Sequence, residues 1–272
     1  MRKVKDKLLQ GLTWLCAALT FSVLVFLIGY IMIKGIPHLR PSLFALKYTT
    51  ENVSLFPALI TTLLTIMLSL TIAVPLGVFA AIYLVEYARR GSRLVRYVRV
   101  TAETLSGIPS IIYGLFGSLF FVIWLGWGLS LLAGACTLSI MILPLIMRST
   151  EESLKSVPDS YREGAFGLGA GRLRTVFRIV LPAASPGILA GVILAIGRII
   201  GETAALVYTL GNTTAMTTGL FSSGRTLSLH MYALSSEGMN TGQAYATAVI
   251  LLVVVVGVNA LSAMAAKKIA KG

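Results

Sequence analysis

Charge is scarce in this chain and missing altogether from its longest segments. Only 12% of its 272 residues are Asp, Glu, Lys or Arg, and none falls within 8–33, 52–85, 104–147 or 238–266. About 20 apolar residues suffice for a helix to cross a bilayer, so each gap has room for at least one span. With 56% hydrophobic residues and a mean hydropathy of +0.86, a soluble globular domain of this length is excluded. The two cysteines, Cys16 and Cys136, both lie in apolar gaps. Two such residues define neither a disulfide framework nor a metal site, and they read as packing residues. The spans contain neither His nor Asp, which removes the paired catalytic groups or metal cluster that an intramembrane enzyme needs. No Gly-x-x-x-x-Gly-Lys-Ser/Thr segment is present, so the chain has no nucleotide-cradling loop. Gly167-Leu168-Gly169-Ala170-Gly171 imitates part of a dinucleotide fingerprint, but no strand precedes it.

What is there is a set of six apolar spans: roughly 12–33, 55–84, 108–126, 129–147, 181–206 and 244–266. Gly126-Trp127-Gly128 offers the tight turn between the third and fourth, with an interfacial aromatic. The basic start, Arg2-Lys3-Val4-Lys5-Asp6-Lys7, has the charge of a signal peptide. The apolar run behind it is too long for one and lacks a small-residue cleavage site, so a retained first helix is expected.

Orientation follows from Lys and Arg. One set of loops holds Arg2, Lys3, Lys5, Lys7, Arg89, Arg90, Arg93, Arg96, Arg99, Arg148, Lys155, Arg162, Arg172, Arg174, Arg178, Lys267, Lys268 and Lys271. The opposite set holds Lys34, Arg40, Lys47 and Arg225, and only Arg198 is left in a span. That is 18 against 4 of 23 basic residues, and the positive-inside rule puts the rich side in the cytoplasm, with both termini. Dividing 55–84 at Pro75 would invert every later loop, so one long helix of roughly 45 Å is expected there. The net charge of +13 is then topology and attraction to anionic lipid. Nucleic-acid binding fits poorly, because the charges are divided among short loops.

The polar loop from Arg148 to Arg178 carries ten charged residues between two apolar spans. Ser156-Val157-Pro158-Asp159 and Ser160-Tyr161-Arg162-Glu163 each fit a helix start. The spacing places Tyr161, Ala165 and Leu168 on one face. Gly167, Gly169 and Gly171 permit a reversal into a second short helix with Leu173, Val176 and Phe177. By residue pattern alone the loop is either a docking knob or an amphipathic hairpin lying on lipid headgroups. Glu163-Gly164-Ala165, Gly169 and Ile179-Val180-Leu181-Pro182 together resemble the cytoplasmic loop by which bacterial ABC-importer permeases engage their ATPase subunits; the departure is Gly164, where the family usually has Ala. The resemblance implies that Glu163, Gly164, Ala165 and Gly169 couple the chain to an ATPase.

Arg198 and Glu202 are four residues apart in an apolar span, and charges at that depth should face the bundle interior. Either Arg198 attracts an anion while Glu202 balances it, or the two form a structural ion pair. Ser106-Gly107-Ile108-Pro109-Ser110-Ile111-Ile112-Tyr113-Gly114-Leu115-Phe116 and Gly197-Arg198-Ile199-Ile200-Gly201-Glu202-Thr203-Ala204 resemble stretches of phosphate-uptake permeases of the PstA type. The resemblance covers the chain from about residue 55 to its end. Gly107 and Pro109 would open a helix whose positive end, with Ser106 and Ser110, suits phosphate oxygens. The same residues also read as a plain cap at the membrane surface.

The external segment 207–243, with Asn212, Thr213, Thr214, Arg225, His230 and Asn240, is too polar to span, and its histidine reads as surface decoration. Asn52-Val53-Ser54 and Asn212-Thr213-Thr214 match glycosylation sequons that arise often by chance. The expected fold is all-α and integral to the membrane, with six spans and the type I ABC importer permease architecture of MetI-like proteins. Residues 1–54 form the basic tail, first helix and external loop. Residues 55–266 form the permease domain with its coupling loop at 148–180, and 267–272 form a basic cytoplasmic tail. The resemblance implies import of inorganic phosphate across a bacterial or archaeal cytoplasmic membrane, with a sulfate or molybdate permease as the alternative. It further implies a homologous second permease subunit, an extracytoplasmic phosphate-binding protein and two ATPase subunits that bind ATP and Mg. This chain itself would hold no cofactor or metal. An ion-coupled secondary transporter would have no need of the loop.

Overall fold

The computed structural model describes residues 2–89, 91–238 and 240–271, and among them there is no strand. Side chains of residues 2–5, 8 and 265–271 lie outside the described set. Arg90 and the side chains of Arg2, Lys3, Lys5, Lys267, Lys268 and Lys271, used above for orientation, therefore lie outside the described set.

The helices follow the charge gaps. Helix α1 is Arg2–Gly35, and α2 is Phe56–Ile82, prolonged through a wide π turn at Tyr83–Tyr87. Pro75 sits inside α2 without dividing it. Helix α3, Arg93–Ser106, is followed by α4, Ser110–Gly117, which continues as a π segment to Trp124. Helix α5 is Leu131–Ser156, α6 is Asp159–Gly167, and α7 is Arg172–Thr175. A second wide turn at Val176–Val180 leads into α8, Leu181–Gly201. The chain closes with α9, Ala204–Thr209, α10, Leu227–Glu237, and α11, Thr241–Lys271. Among the described residues five segments are long and apolar enough to cross a membrane, or six if α3 and α4, bent by 102° at residues 107–109, count together as one broken span. Gly126 and Gly128 both adopt positive φ in the expected turn between α4 and α5.

Helices α2, α5 and α8 form the centre of the bundle. Membrane helices gain little from burying apolar surface against one another, so close packing and buried hydroxyls hold them. Gly187 and Gly191 on α8 let Ser153 and Ser149 of α5 approach so closely that a Cβ at either glycine would fall 2.3 Å from a serine Oγ. Ser139 on α5 donates to the Ser69 carbonyl at 3.1 Å, and Ser69 donates to the Ala135 carbonyl at 3.2 Å, which ties α2 to α5. Leu138, Met141, Ile142, Ile146, Ile199 and Ile200 fill the space around these bonds.

Several expectations change. The arginine-rich stretch 93–106 is a helix: Val95, Val98 and Ala102 recur at helical spacing and pack on the bundle, Arg99 pairs with Glu151 of α5 at 2.6 Å, and Arg93 and Arg96 stay exposed. Helix α5 runs nine residues past the expected end at 147, its last turns held by Arg148–Glu152 and Lys155–Glu151 pairs. Cys16 is exposed on α1 and packs no core, since most of α1 stands clear of the bundle and meets it mainly through α11. His230 is fully buried. Segment 207–243, expected to be external, folds back against the bundle, with the Leu227 N–H donating to Thr62 Oγ1 at 2.9 Å and Thr61 bonding Thr217 at 2.8 Å. Asn52 is consumed locally, accepting from the Thr49 and Ser54 N–H groups and donating to the Lys47 carbonyl.

Candidate coupling surface and translocation pathway

Helix α6 begins at Asp159 after Pro158, and no side chain caps it. Neither expected capping box forms, because Ser156 still belongs to α5 and donates to the Ser153 carbonyl. Pro158 performs the start instead by fixing its own φ and leaving α5 no further N–H to bond. Ala165 is buried, whereas Glu163, Gly164, Phe166 and Leu168 are exposed. The face shared by Tyr161, Ala165 and Leu168 is not one buried stripe: Tyr161 is half exposed and Leu168, beyond the helix end, is 91% exposed. The chain reverses at Gly169, whose φ of +80° is strained for any residue with a Cβ. In the second arm Val176 is buried, while Leu173 and Phe177 remain exposed. The loop thus presents Glu163, Gly164, Phe166 and Leu168 outward from a helix seated through Ala165.

A residue that sequence reasoning passed over seats this helix. Arg162 reaches back to Glu86 in the turn after α2, with Nη2 to Oε1 at 2.8 Å. Glu86 ends a charge-free gap and Arg162 was counted only as a positive charge, so no local pattern paired them. Arg162, Glu86, Arg89, Arg99, Lys155, Asp159 and Arg172 surround a cavity of about 510 Å3. The basic segments 89–99 and 148–178 therefore meet at one end of the bundle.

Of the two readings of Arg198 and Glu202, the structural ion pair does not form among the described residues, and the two do not share one continuous helix. Helix α8 ends at Gly201, and Glu202 turns extended with ψ of 128°. Its carboxylate caps α9, accepting from the Ala205 N–H at 3.0 Å, and its carbonyl accepts from Ser228 on α10 at 2.7 Å. A cap at a helix N-terminus suits a carboxylate both as acceptor and as negative charge. Arg198 stays half-buried on α8. Among the described residues no carboxylate lies within ion-pair distance of it. Ser110 is the first residue of α4, half-buried. Ser106 is exposed at the end of α3 and donates back to the Ala102 carbonyl at 3.0 Å. It lines a groove with Glu103, Pro144 and Arg148, between α3 and α5. Among the described residues no cluster of three or more metal-ligating side chains forms.

Residues 73–271 match the family described as the binding-protein-dependent transport system inner membrane component. The chain is 34% identical over 258 residues to a probable ABC transporter permease protein, YqgI, of Bacillus subtilis, covering 88% of this chain and 86% of that protein. It is 36% identical over 214 residues to the phosphate transport system permease protein PstA of Haemophilus influenzae, covering 76% and 74%. Among solved structures, a permease chain of a bacterial ABC transporter importing the acidic polysaccharide alginate superposes with a TM-score of 0.67 at 18% identity, covering 94% of this chain and 96% of that one. The MetNI methionine ABC transporter in an inward-facing form gives 0.63 at 20% identity, covering 79% and 94%. The fold is thus that of type I ABC importer permeases, and the chain belongs to the family of inner-membrane components of binding-protein-dependent transport systems.

Proposed function

We propose that the chain is the permease subunit through which an ATP-driven importer moves inorganic phosphate into the cell. The observation that carries this reading is Arg198, a half-buried guanidinium on a membrane helix with no carboxylate beside it among the described residues. A charge at that depth costs several kcal/mol unless it is paired or faces water, and an arriving oxyanion supplies the missing partner through the two-pronged geometry that guanidinium favours. The identity to phosphate permeases over three quarters of the chain supports phosphate as the cargo. The alginate and methionine importers share the fold at low identity, so the fold by itself leaves the cargo open.

In this reading the basic end lies in the cytoplasm. ATPase subunits grip α6 through the exposed Glu163 and the turn at Gly169, and bring their own ATP and Mg. A phosphate-binding protein delivers cargo at the opposite end, and α8, carrying Arg198, opens to each side in turn as the ATPase subunits close and part. The chain hydrolyses nothing itself. A second, homologous permease completes the pathway, and the exposed length of α1 is available to it.

The test is uptake of labelled phosphate by the assembled complex, with sulfate and molybdate as competitors. Saturable, ATP-dependent uptake that neither competitor suppresses is expected. Uptake suppressed by sulfate or molybdate at phosphate-like concentrations would move the cargo to another oxyanion.

A further inference from the structure

The link between Glu86 and Arg162 spans 76 positions of sequence and does more than neutralise two charges. A guanidinium has five N–H donors, and here every one is engaged. Nε donates to Glu86 Oε1 at 3.2 Å. Nη2 donates to Glu86 Oε1 at 2.8 Å and to the Leu154 carbonyl at 2.9 Å. Nη1 donates to the Val157 carbonyl at 2.9 Å and to Asp159 Oδ1 at 3.2 Å. The Glu86 and Arg162 side chains are only 8% and 15% exposed. Exposed pairs contribute little, but a withdrawn pair leaves an uncompensated charge when one partner is removed. The bond to Glu86 also raises the pKa of Arg162 above its already high ordinary value, so the guanidinium stays charged at any physiological pH.

Three elements meet at this one side chain: the end of α2 through Glu86, the end of α5 through the Leu154 and Val157 carbonyls, and α6 itself. Apart from it, α6 packs on α7 and the turn that follows. Helix α5 is continuous in sequence with α6 through Val157 and Pro158, so a displaced α6 pulls α5 directly. Helix α2 has no such covalent route. Arg162 also immediately precedes the exposed Glu163, while Ala165 on its own face is buried. One face of α6 is thus tied inward and the other is free.

We propose that Glu86 and Arg162 are positioning residues that carry the displacement of α6 by a docked ATPase into α2. The proposal rests on the reading of α6 as the docking element. Because α2 and α5 are already tied by Ser69 and Ser139 along their length, a push delivered to both ends moves them together. A push delivered to α5 alone is opposed by a stationary α2.

The test uses the assembled complex in liposomes with its binding protein, and reads ATPase retention, ATP hydrolysis and labelled-phosphate uptake. Glu86→Gln should leave retention and hydrolysis unchanged while uptake per ATP hydrolysed falls about tenfold, as expected when a directed ionic link is lost. Arg162→Lys keeps a cation beside Glu86 and so protects folding, but an ammonium has three donors where the guanidinium uses five, and it cannot hold both carboxylates and both carbonyls at once; the same loss of coupling is expected. In a background free of Cys16 and Cys136, Glu86→Cys with Arg162→Cys should be uncoupled until a bifunctional thiol reagent bridges the two positions, and coupled afterwards. A purely structural pair would not respond to the bridge in this way. Wild-type uptake per ATP in Glu86→Gln and Arg162→Lys would overturn the proposal, as would loss of ATPase retention in step with uptake. If the unsubstituted chain retains no ATPase at all, the docking reading falls and this proposal with it.

Discussion

At the end of the bundle that carries α6, the buried carboxylates each hold a cation: Glu86 holds Arg162 at 2.8 Å, and Glu151 holds both Arg99 and Lys155 at 2.6 Å. At the opposite end Arg225 is 4% exposed, and its guanidinium lies over the Tyr48 ring at 5.0 Å with no carboxylate within ion-pair distance among the described residues, Glu237 acting on its charge only from farther off. Burial accordingly pushes the Arg225 pKa down, while burial-resistant pairing pushes that of Arg162 up. Arg198, between the two ends, resembles Arg225 in lacking a carboxylate. The difference separates two uses of arginine. Paired with glutamate, it is a tie between helices and contributes rigidity. Left without an acid on a membrane helix, as Arg198 is, it is the group that the proposed function assigns to an anion, whereas Arg225 is shut in under Tyr48.

The comparison can be broken first at the paired end, where the largest effect is expected. Glu163→Trp adds bulk on the exposed face of α6, and Gly169→Val forces a β-branched residue into a φ of +80°. Both should abolish copurification of the ATPase while the chain still accumulates in the membrane. Normal capture by both variants would mean that this end ties helices without receiving a partner.

A smaller effect sharpens the other end. His230, on α10 outside the long spans, is held to a pKa of about 3 by its burial and then by the positive charge of Arg225. In the unfolded chain the ring titrates near 6.5. Between these values the unfolded state binds a proton that the folded state refuses, so the folded chain loses stability as pH falls below 6.5. The loss amounts to about 2 kcal/mol at pH 5. Thermal unfolding in detergent at pH 7.5 and pH 5 should show this penalty in the wild type and not in His230→Phe. An equal drop in both would show that a second positive charge is tolerated beside Arg225.

How much of this was legible in the sequence depended on whether the signal was local. Four charge-free gaps and the Gly126-Trp127-Gly128 turn are local, and they located five of the six spans, although α1 begins ten residues before the expected start at 12 and α5 ends nine after 147; the span expected at 181–206, which lies in no gap, stops early at Gly201. The helix and reversal around Glu163 and Gly169 were legible because a short helix and a glycine turn are written in adjacent residues. The break at Glu202 was not. Four-residue spacing implies one face only while the helix continues, and this one stops at Gly201 so that Glu202 can cap α9. Arg162 and Glu86 were invisible for the opposite reason, since nothing in either neighbourhood encodes a partner 76 residues away. His230 misled because polar composition suggested surface, whereas Tyr48 from the 47–53 loop covers it, with ring centroids 6.1 Å apart.

The central claim is that the cation without an acid serves the cargo. Its most direct measurement is labelled-phosphate uptake by the complex carrying Arg198→Gln, with the amount of chain in the membrane and its retained ATPase determined in parallel. The account predicts uptake at background with normal chain and ATPase levels. Full uptake by Arg198→Gln would contradict it and make Arg198 a structural residue of α8.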